Sequence, residues 1–215
     1  MPSEHSVAVR VTFIGWLSVV AASNIATVPW KYSFGEESVA GFKEAFEKGG
    51  GKVVKEMTLP FPNVEFQPFL TESASLKPDA VFVFFAGAGA AKFVSDYAAA
   101  GLKSSIPLYG PGFLTDGNLA AMGGAGEGLL TTLHYADGLT NAKDAAFRTK
   151  YAAAYKMQPD VYAVQGYDAA QMYEAGLKAA GGDPAKQEEV IKGMASATID
   201  SPRGPFTLSK AHNPV

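Results

Sequence analysis

Short apolar runs alternate with amphipathic segments along residues 24–135. The run at residues 80–85 is apolar at every position, which is typical of a parallel strand covered on both faces. Apolar residues at helical spacing on residues 36–49 predict a helix packed on such a sheet. The alternation predicts the α/β class, a Rossmann-like doubly wound parallel sheet. The predicted strands are residues 24–30, 52–58, 80–85, 106–109 and 128–135, and the predicted helices are residues 36–49, 65–75 and the segment around 93–100.

The pattern changes after residue 137. Three consecutive helices are predicted at residues 143–156, 161–180 and 184–195, followed by a loop-like tail. We therefore expect three parts. They are a segment at residues 1–23, an α/β lobe at 24–137, and a helical part at 138–215.

The loops that follow the predicted strands are the first place to look for function. In sheets of this kind, ligands bind outside the carboxyl ends of the strands. Residues 86–90 and 110–116 are such loops, and both are rich in glycine and apolar side chains.

Composition excludes several classes of protein. A net charge of −3 without a basic stripe argues against nucleic-acid binding. The absence of cysteine excludes thiolate metal sites and a thiolate nucleophile, and His5, His134 and His212 lie in unrelated contexts. We expect neither a metal nor a cofactor.

Enzyme motifs are fragmentary. Gly87-Ala-Gly89 resembles the start of a dinucleotide fingerprint, but Lys92 occupies the third glycine position and no Gly-x-Ser-x-Gly is present. We interpret His134, in a predicted strand, as a hydrogen-bonded core or hinge residue, and Asp168 as an acid in a helix first turn or a hinge. Residues 201–204 (Ser-Pro-Arg-Gly) predict a structural turn in preference to a phosphate loop. The sequence therefore predicts a protein that is not an enzyme.

Residues 11–22 form an apolar run preceded by Arg10. The run is too short to span a membrane and fits the core of a signal peptide, although Glu4 opposes the charge of Arg10. A strand or a buried helix is the alternative interpretation.

Several short motifs in combination carry a family resemblance. From about Asn24 onward the chain resembles the substrate-binding proteins of branched-chain amino-acid-type ABC importers, the type I periplasmic-binding family that includes the Leu/Ile/Val-binding protein. It is most similar to the branch associated with aromatic and other organic acids. The matching motifs are Tyr-Ser-Phe-Gly-Glu-Glu-Ser (32–38), Gly-Gly-Lys-Val-Val (50–54), Pro-Phe-Pro-Asn (60–63), Lys-Pro-Asp-Ala-Val (77–81), Ala-Gly-Leu-Lys (100–103), Ile-Pro-Leu-Tyr-Gly (106–110), Gly-Tyr-Asp-Ala (166–169) and Ser-Pro-Arg-Gly (201–204).

The resemblance implies two lobes that close on a ligand. Residues 24–135 resemble the second lobe, and residues 138–200 resemble helices that complete the first lobe, whose strands have no counterpart in this sequence. We therefore expect a truncated member, in which some helix faces lack a partner and associate in a homodimer. The side chains on those faces are Phe147, Tyr151, Tyr155, Tyr162, Tyr167 and Met172.

The same resemblance implies a ligand-binding site built from three loops. Tyr32 and Phe34 correspond to an aromatic wall, with a hydrophobic staple at the helix start as the alternative. A second wall comes from Phe85, Ala86, Gly87 and Ala88, with a tight turn that needs small residues as the alternative. The third wall contains Gly112 and Phe113.

Gly112 departs from the family pattern, because amino-acid binders carry an acidic residue at that position to pair with the ligand ammonium. A buried ammonium without a carboxylate is poorly compensated. This departure favours an uncharged or anionic apolar ligand, such as an aromatic carboxylate.

The expected function is that of a solute-binding component of an ABC importer. It would capture a branched-chain amino acid or a related organic acid, including aromatic acids, in the periplasm and deliver it to the importer membrane subunits. A lone lobe offers one wall, so we expect a dissociation constant of about a millimolar or weaker. The alternative is a non-functional remnant or an oligomerising fragment that binds no ligand.

Overall fold

A computed structural model describes residues 22–136 and 138–215. Most of the predicted segment 1–23, including the leader-like run, lies outside the described residues. The chain divides into two compact units, Met1–Leu133 and His134–Val215, and the division falls close to the predicted boundary after residue 137.

The first unit is an α/β fold with the predicted alternation of strands and helices. In chain order its described elements are β1 (Asn24–Lys31), α1 (Ser33–Lys48), β2 (Lys52–Glu56), β3 (Leu59–Pro60), α2 (Gln67–Leu76), β4 (Ala80–Phe84), α3 (Gly87–Ala99), β5 (Leu108–Pro111), α4 (Leu119–Met122) and β6 (Leu130–Thr132). Short 3-10 turns at Leu102–Ser104, Gly112–Leu114 and Gly123–Gly126 complete the connections.

The strands form one parallel sheet in the order β2-β1-β4-β5-β6, with β3 paired to the end of β1. From β1 the chain moves outward to β2 on one side and then returns to β4 on the other. The topological switch point therefore lies between the carboxyl ends of β1 and β4, which is where open sheets of this class bind ligands.

Side chains alternate between the two faces of the sheet, so successive residues of β4 enter different cores. Val81, Val83 and Phe85 join the larger core, which α2 and α3 cover. Ala80 and Phe82 join the smaller core beneath α1, where the rings of Phe82 and Phe42 stack at 4.0 Å. All of β4 is buried, as its continuous apolar run predicts.

Both helices at the switch point begin earlier than predicted. Helix α1 begins at Ser33, and its Gly35 lies against the end of β1, where a Cβ would stand 2.2 Å from the carbonyl oxygen of Trp30. Helix α3 begins at Gly87, so the predicted loop 86–90 is mostly a helix first turn. Gly89 in that turn lets the indole of Trp30 approach, since a Cβ there would stand 2.4 Å from the ring.

Other strand bounds also differ from the predictions. The strand expected at 106–109 is Leu108–Pro111, and the one expected at 128–135 pairs only over Leu130–Thr132. The short strand β3 was not predicted, because its two residues are followed by a turn signal, Phe-Pro-Asn.

The second unit contains α5 (Ala142–Tyr155), α6 (Val161–Ala179) and α7 (Gln187–Ala195), which match the three predicted helices closely. Glycines let α6 and α7 approach closely, since a Cβ on Gly176 would stand 2.6 Å from the carbonyl oxygen of Val190. The tail forms single antiparallel bridges, Ile199 with Phe206 and Leu208 with Pro214. Among the helices of the described ranges, none has the length and apolar character needed to cross a membrane.

Two interpretations of polar residues in this unit need correction. Asp168 lies well inside α6 and not in its first turn. His134 follows β6 outside any strand, because strand pairing ends at Thr132.

Candidate functional site

Aromatic side chains gather at the carboxyl ends of β1 and β4. Tyr32 directly follows β1, and Phe34 lies in the first turn of α1 with 49% of its surface exposed. The Phe34 ring lies 4.7 Å from the ring of Phe84, the last residue of β4, and 5.5 Å from the ring of Phe113. Side chains from the first turn of α1, the end of β4 and the turn at Gly112–Leu114 therefore meet at the topological switch point.

Tyr32 joins this group of rings and extends it to Phe61. Its ring lies 6.1 Å from that of Phe84 and 5.1 Å from that of Phe61, which is 55% exposed. Phe61 also meets Trp30 edge-on at 5.2 Å, and the Trp30 indole donates a hydrogen bond of 2.8 Å to the carbonyl oxygen of Asn63. We call this surface the aromatic edge; its members are Tyr32, Phe34, Phe61, Phe84 and Phe113.

Phe85 does not belong to the aromatic edge. It points to the opposite face of the sheet from Phe84 and is fully buried. Its ring packs at 5.1 Å from Trp30, 5.1 Å from Phe66 and 4.7 Å from Phe93. The side chain predicted to contact a ligand is thus a core residue, and its neighbour Phe84 supplies the ring at the switch point.

The small residues of the second predicted wall form the start of α3. Ala86 is extended and half-buried, and Gly87 and Ala88 are exposed in the first helical turn. Gly87 has φ of +58°, a conformation that strongly favours glycine. No side chain caps this helix and no acidic residue lies in its first turn, so its backbone N–H groups carry the partial positive charge of the helix dipole.

The third wall is held in place by contacts within its own loop. Gly112 is buried, and a Cβ there would stand 2.4 Å from the Cβ of Leu133. The hydroxyls of Thr115 and Thr131 lie 3.0 Å apart, and the Asn118 amide donates to the carbonyl oxygens of Asp116 and Phe113. These contacts fix Phe113 beside Phe34.

Sequence reasoning missed two members of the aromatic edge. Phe61 lies between Pro60 and Pro62, a pattern that indicates a turn and gives no sign of ligand contact. Phe84 was counted as part of a strand, although the alternation of side chains along β4 places it on the face opposite Phe85. The alternation shows that the two rings lie on opposite faces, but a fully apolar run does not reveal which of them faces the switch point.

The aromatic edge itself carries no ionised side chain. Its one titratable member is Tyr32, and partial burial raises the pKa of this phenol, so the hydroxyl stays protonated at neutral pH. Glu36 lies in the first turn of α1. In the ranges 22–136 and 138–215, no cluster of His, Cys, Asp or Glu has the arrangement needed to hold a metal ion.

The second unit has a polar cluster around Asp168. Its carboxylate accepts hydrogen bonds from the hydroxyl of Ser201 at 2.9 Å and from Nε of Arg203 at 3.1 Å. These bonds fasten the Ser-Pro-Arg-Gly segment to α6, which supports the structural interpretation of that motif. Burial and the nearby Arg203 charge lower the pKa of His134, and Asp168 opposes that shift.

A groove of about 500 Å³ runs between α5 and α6 in the second unit. Its aromatic walls are the side chains expected to lack partners, and Tyr155 in particular is 65% exposed. The ammonium group of Lys143 lies 5.6 Å from the centre of the Tyr167 ring and pairs with Asp200 at 2.7 Å. The aromatic side chains that line the groove are Phe147, Tyr151, Tyr155 and Tyr167.

Sequence comparison identifies relatives along almost the whole chain. A family model described as periplasmic binding protein matches residues 5–215, so the match begins well before Asn24. The Leu/Ile/Val-binding protein homolog 6 of Brucella melitensis biotype 1 is 31% identical over 216 residues. That alignment covers 93% of this chain and 55% of the relative, so the chain spans about half the length of the curated relatives it matches.

Solved structures of solute-binding proteins also match almost the whole chain and about half of each relative. A solute-binding protein of an ABC transporter from R. palustris, in complex with benzoate, is 56% identical with a TM-score of 0.90. The match covers 96% of this chain and 56% of that protein. A second, from Rhodopseudomonas palustris BisB5 in complex with 3,4-dihydroxybenzoic acid, is 33% identical with a TM-score of 0.85 and covers 94% of this chain and 56% of that one.

Proposed function

The chain belongs to the periplasmic-binding-protein family, and on that premise we propose that it is a solute-binding component of an ABC importer for a small aromatic carboxylate. The family and the structural relatives bind solutes for ABC transporters and are not enzymes. The proposed activity is reversible capture, without a covalent step. The proposed place of action is the periplasm, and the proposed partners are the ligand and the importer membrane subunits.

One observation carries this proposal: an aromatic edge with an exposed ring lies at the topological switch point of the sheet. Phe34 offers a free face there, and Phe84 and Phe113 hold it in position. Rings stack well on such a surface in offset or edge-on geometry. The position and the chemistry therefore agree with a flat, apolar ligand.

In this proposal the ligand carboxylate lies near the backbone N–H groups at the start of α3. The uncapped N–H groups around Gly87 and Ala88 follow the strand that ends in Phe84. Helix N-termini favour negative charge. An α-amino acid would in addition present an ammonium group, and the aromatic edge has no carboxylate to receive it, which favours aromatic acids over branched-chain amino acids.

The experiment is ligand-observed NMR with benzoate, using saturation transfer from the chain. Saturation transfer detects millimolar affinities, which a chain of about half the relatives' length is expected to show. Phe34→Ala should weaken the benzoate signal several-fold. Tyr173→Ala, which removes an exposed ring in the second unit, should leave that signal unchanged. An unchanged signal in Phe34→Ala would reject the site, and no signal for any variant would reject the function.

A second candidate function is association between copies of the chain through the second unit. The observation that favours it is the α5–α6 groove, whose aromatic lining includes the 65% exposed Tyr155. Buried aromatic surface dominates many protein interfaces. Light scattering on the purified chain tests this candidate.

A further inference from the structure

The polar groups around the aromatic edge are already engaged with each other. The hydroxyl of Thr115 bonds to that of Thr131 and lies 3.3 Å from the carbonyl oxygen of Gly112. The side-chain amide nitrogen of Asn118 is occupied by two backbone carbonyl oxygens. The loop that positions Phe113 therefore uses its polar side chains for its own geometry.

The side chains that form the edge are nearly all hydrocarbon. Four of the five members are phenylalanine, namely Phe34, Phe61, Phe84 and Phe113. Tyr32 contributes the single hydroxyl, and its ring lies among those of Phe61 and Phe84. A ligand ring placed on this surface meets hydrocarbon rings on the Phe34–Phe113 side, where the Thr115 hydroxyl and the Asn118 amide N–H groups are already used within the loop.

A hydroxyl on the ligand ring would lose water against Phe34 and Phe113 and gain no compensating hydrogen bond from their side chains. Burying a hydroxyl without a partner is unfavourable. An apolar site rejects an added hydroxyl by about ten- to a hundredfold and not by more. The aromatic edge is thus suited to a ring that has no polar substituent on the side it presents.

We propose that the aromatic edge makes this protein selective for unsubstituted aromatic carboxylates over ring-hydroxylated ones. Phe34 and Phe113 are the specificity-determining residues, because the exposed ring of Phe34 and the partly buried ring of Phe113 lie side by side at the switch point. The inference rests on the proposed function and names the ligand class of the same site. It predicts that benzoate binds about tenfold or more tightly than 4-hydroxybenzoate or 3,4-dihydroxybenzoate.

The test is a competition experiment on the intact chain. Benzoate is observed by saturation-transfer NMR while each hydroxybenzoate is added as competitor, and the ratio of dissociation constants is read from the displacement curves. Phe113→Tyr and Phe34→Tyr, each of which adds one hydroxyl to the edge, should reduce the preference for benzoate several-fold. Tyr173→Phe, outside the edge, is the control and should leave the ratio unchanged.

The outcomes separate the two proposals. A benzoate preference of about tenfold that falls in the two tyrosine variants supports the inference. Equal binding of the three acids, or tighter binding of a hydroxybenzoate, overturns the selectivity while leaving the proposed function in place. A preference that stays the same in both tyrosine variants overturns the assignment to Phe34 and Phe113. Absence of binding by all three acids rejects the proposed function itself.

Discussion

Gly112 and Leu133 pack so closely that a side chain at position 112 has no room. A Cβ on Gly112 would stand 2.4 Å from the Cβ of Leu133 and 2.9 Å from its Cγ. The backbone of the third wall therefore rests directly on the residue that follows the last strand of the sheet. Its neighbour Phe113 owes its position at the aromatic edge to this contact.

We expect Gly112→Ala to lower the free energy of unfolding of the first unit by about 1–3 kcal/mol, because the added methyl group overpacks the contact. Urea denaturation followed by tryptophan fluorescence measures the change. Leu133→Gly in the same background removes the Cβ that the new methyl group would meet, so the double variant should lose less stability than the sum of the single variants. If the stability losses of the two single variants simply add in the double variant, Leu133 is not the reason that position 112 requires glycine.

The half-buried ion pair between Asp168 and Arg203 should matter more to stability than pairs on the surface. Asp168→Ala removes the partner of both Ser201 and Arg203. We expect it to cost about 2–3 kcal/mol, because hydrogen bonds to a charged group are lost and the guanidinium stays partly buried. The control is Glu174→Ala, which breaks the exposed pair with Lys178 and should cost much less stability. Equal losses of stability in Asp168→Ala and Glu174→Ala would contradict the larger role expected of the Asp168–Arg203 pair.

His134 should make the second unit less stable in acid. Its pKa is lowered in the folded state by burial and by Arg203, so the unfolded chain binds the proton more readily. Its contribution to stability is therefore present above the ordinary histidine pKa, at neutral pH, and is lost as the pH falls through the lowered value.

Thermal unfolding at pH 7 and at a series of lower pH values measures this dependence. His134→Gln should lose less stability on acidification than the unmodified chain, and His212→Gln, in the exposed tail, should behave like the unmodified chain. A pH dependence that is identical in all three proteins would contradict the role of His134.

If the α5–α6 groove mediates association, the purified chain should be a dimer by size-exclusion chromatography with light scattering. The double variant Tyr151→Ser/Tyr155→Ser should shift it toward the monomer, because it removes two rings of the groove. Tyr173→Ser leaves the groove intact and should remain dimeric. A monomer in all three cases would exclude the second candidate function.

The sequence predicted the sheet well because its signals are local. The apolar run of β4 and the amphipathic pattern of α1 specify a buried strand and a covering helix without reference to distant residues. The two helices begin at Ser33 and Gly87, earlier than the sequence predicts, and in both the first turn contains a glycine packed against Trp30. Such contacts depend on tertiary structure and leave no mark in the local pattern.

The candidate site was predicted only in part, for a related reason. Phe34 lies beside Phe113, and Tyr32 joins them through Phe84, whereas Phe85 is a core residue and the sequence did not point to Phe61 or Phe84. Which of two adjacent phenylalanines faces the switch point depends on the register of β4, and a fully apolar run does not reveal that register. Phe61 reaches the edge because β3 pairs with the end of β1, a pairing of only two residues.

The most direct test of the central claim is to map benzoate on the chain by amide and side-chain chemical-shift perturbation. We predict that the largest changes occur at Tyr32, Phe34, Ala86 and Phe113, together with the indole N–H of Trp30, which borders Phe61. Perturbations confined to the α5–α6 groove, or none at millimolar benzoate, would contradict the assignment of the aromatic edge as the ligand-binding site.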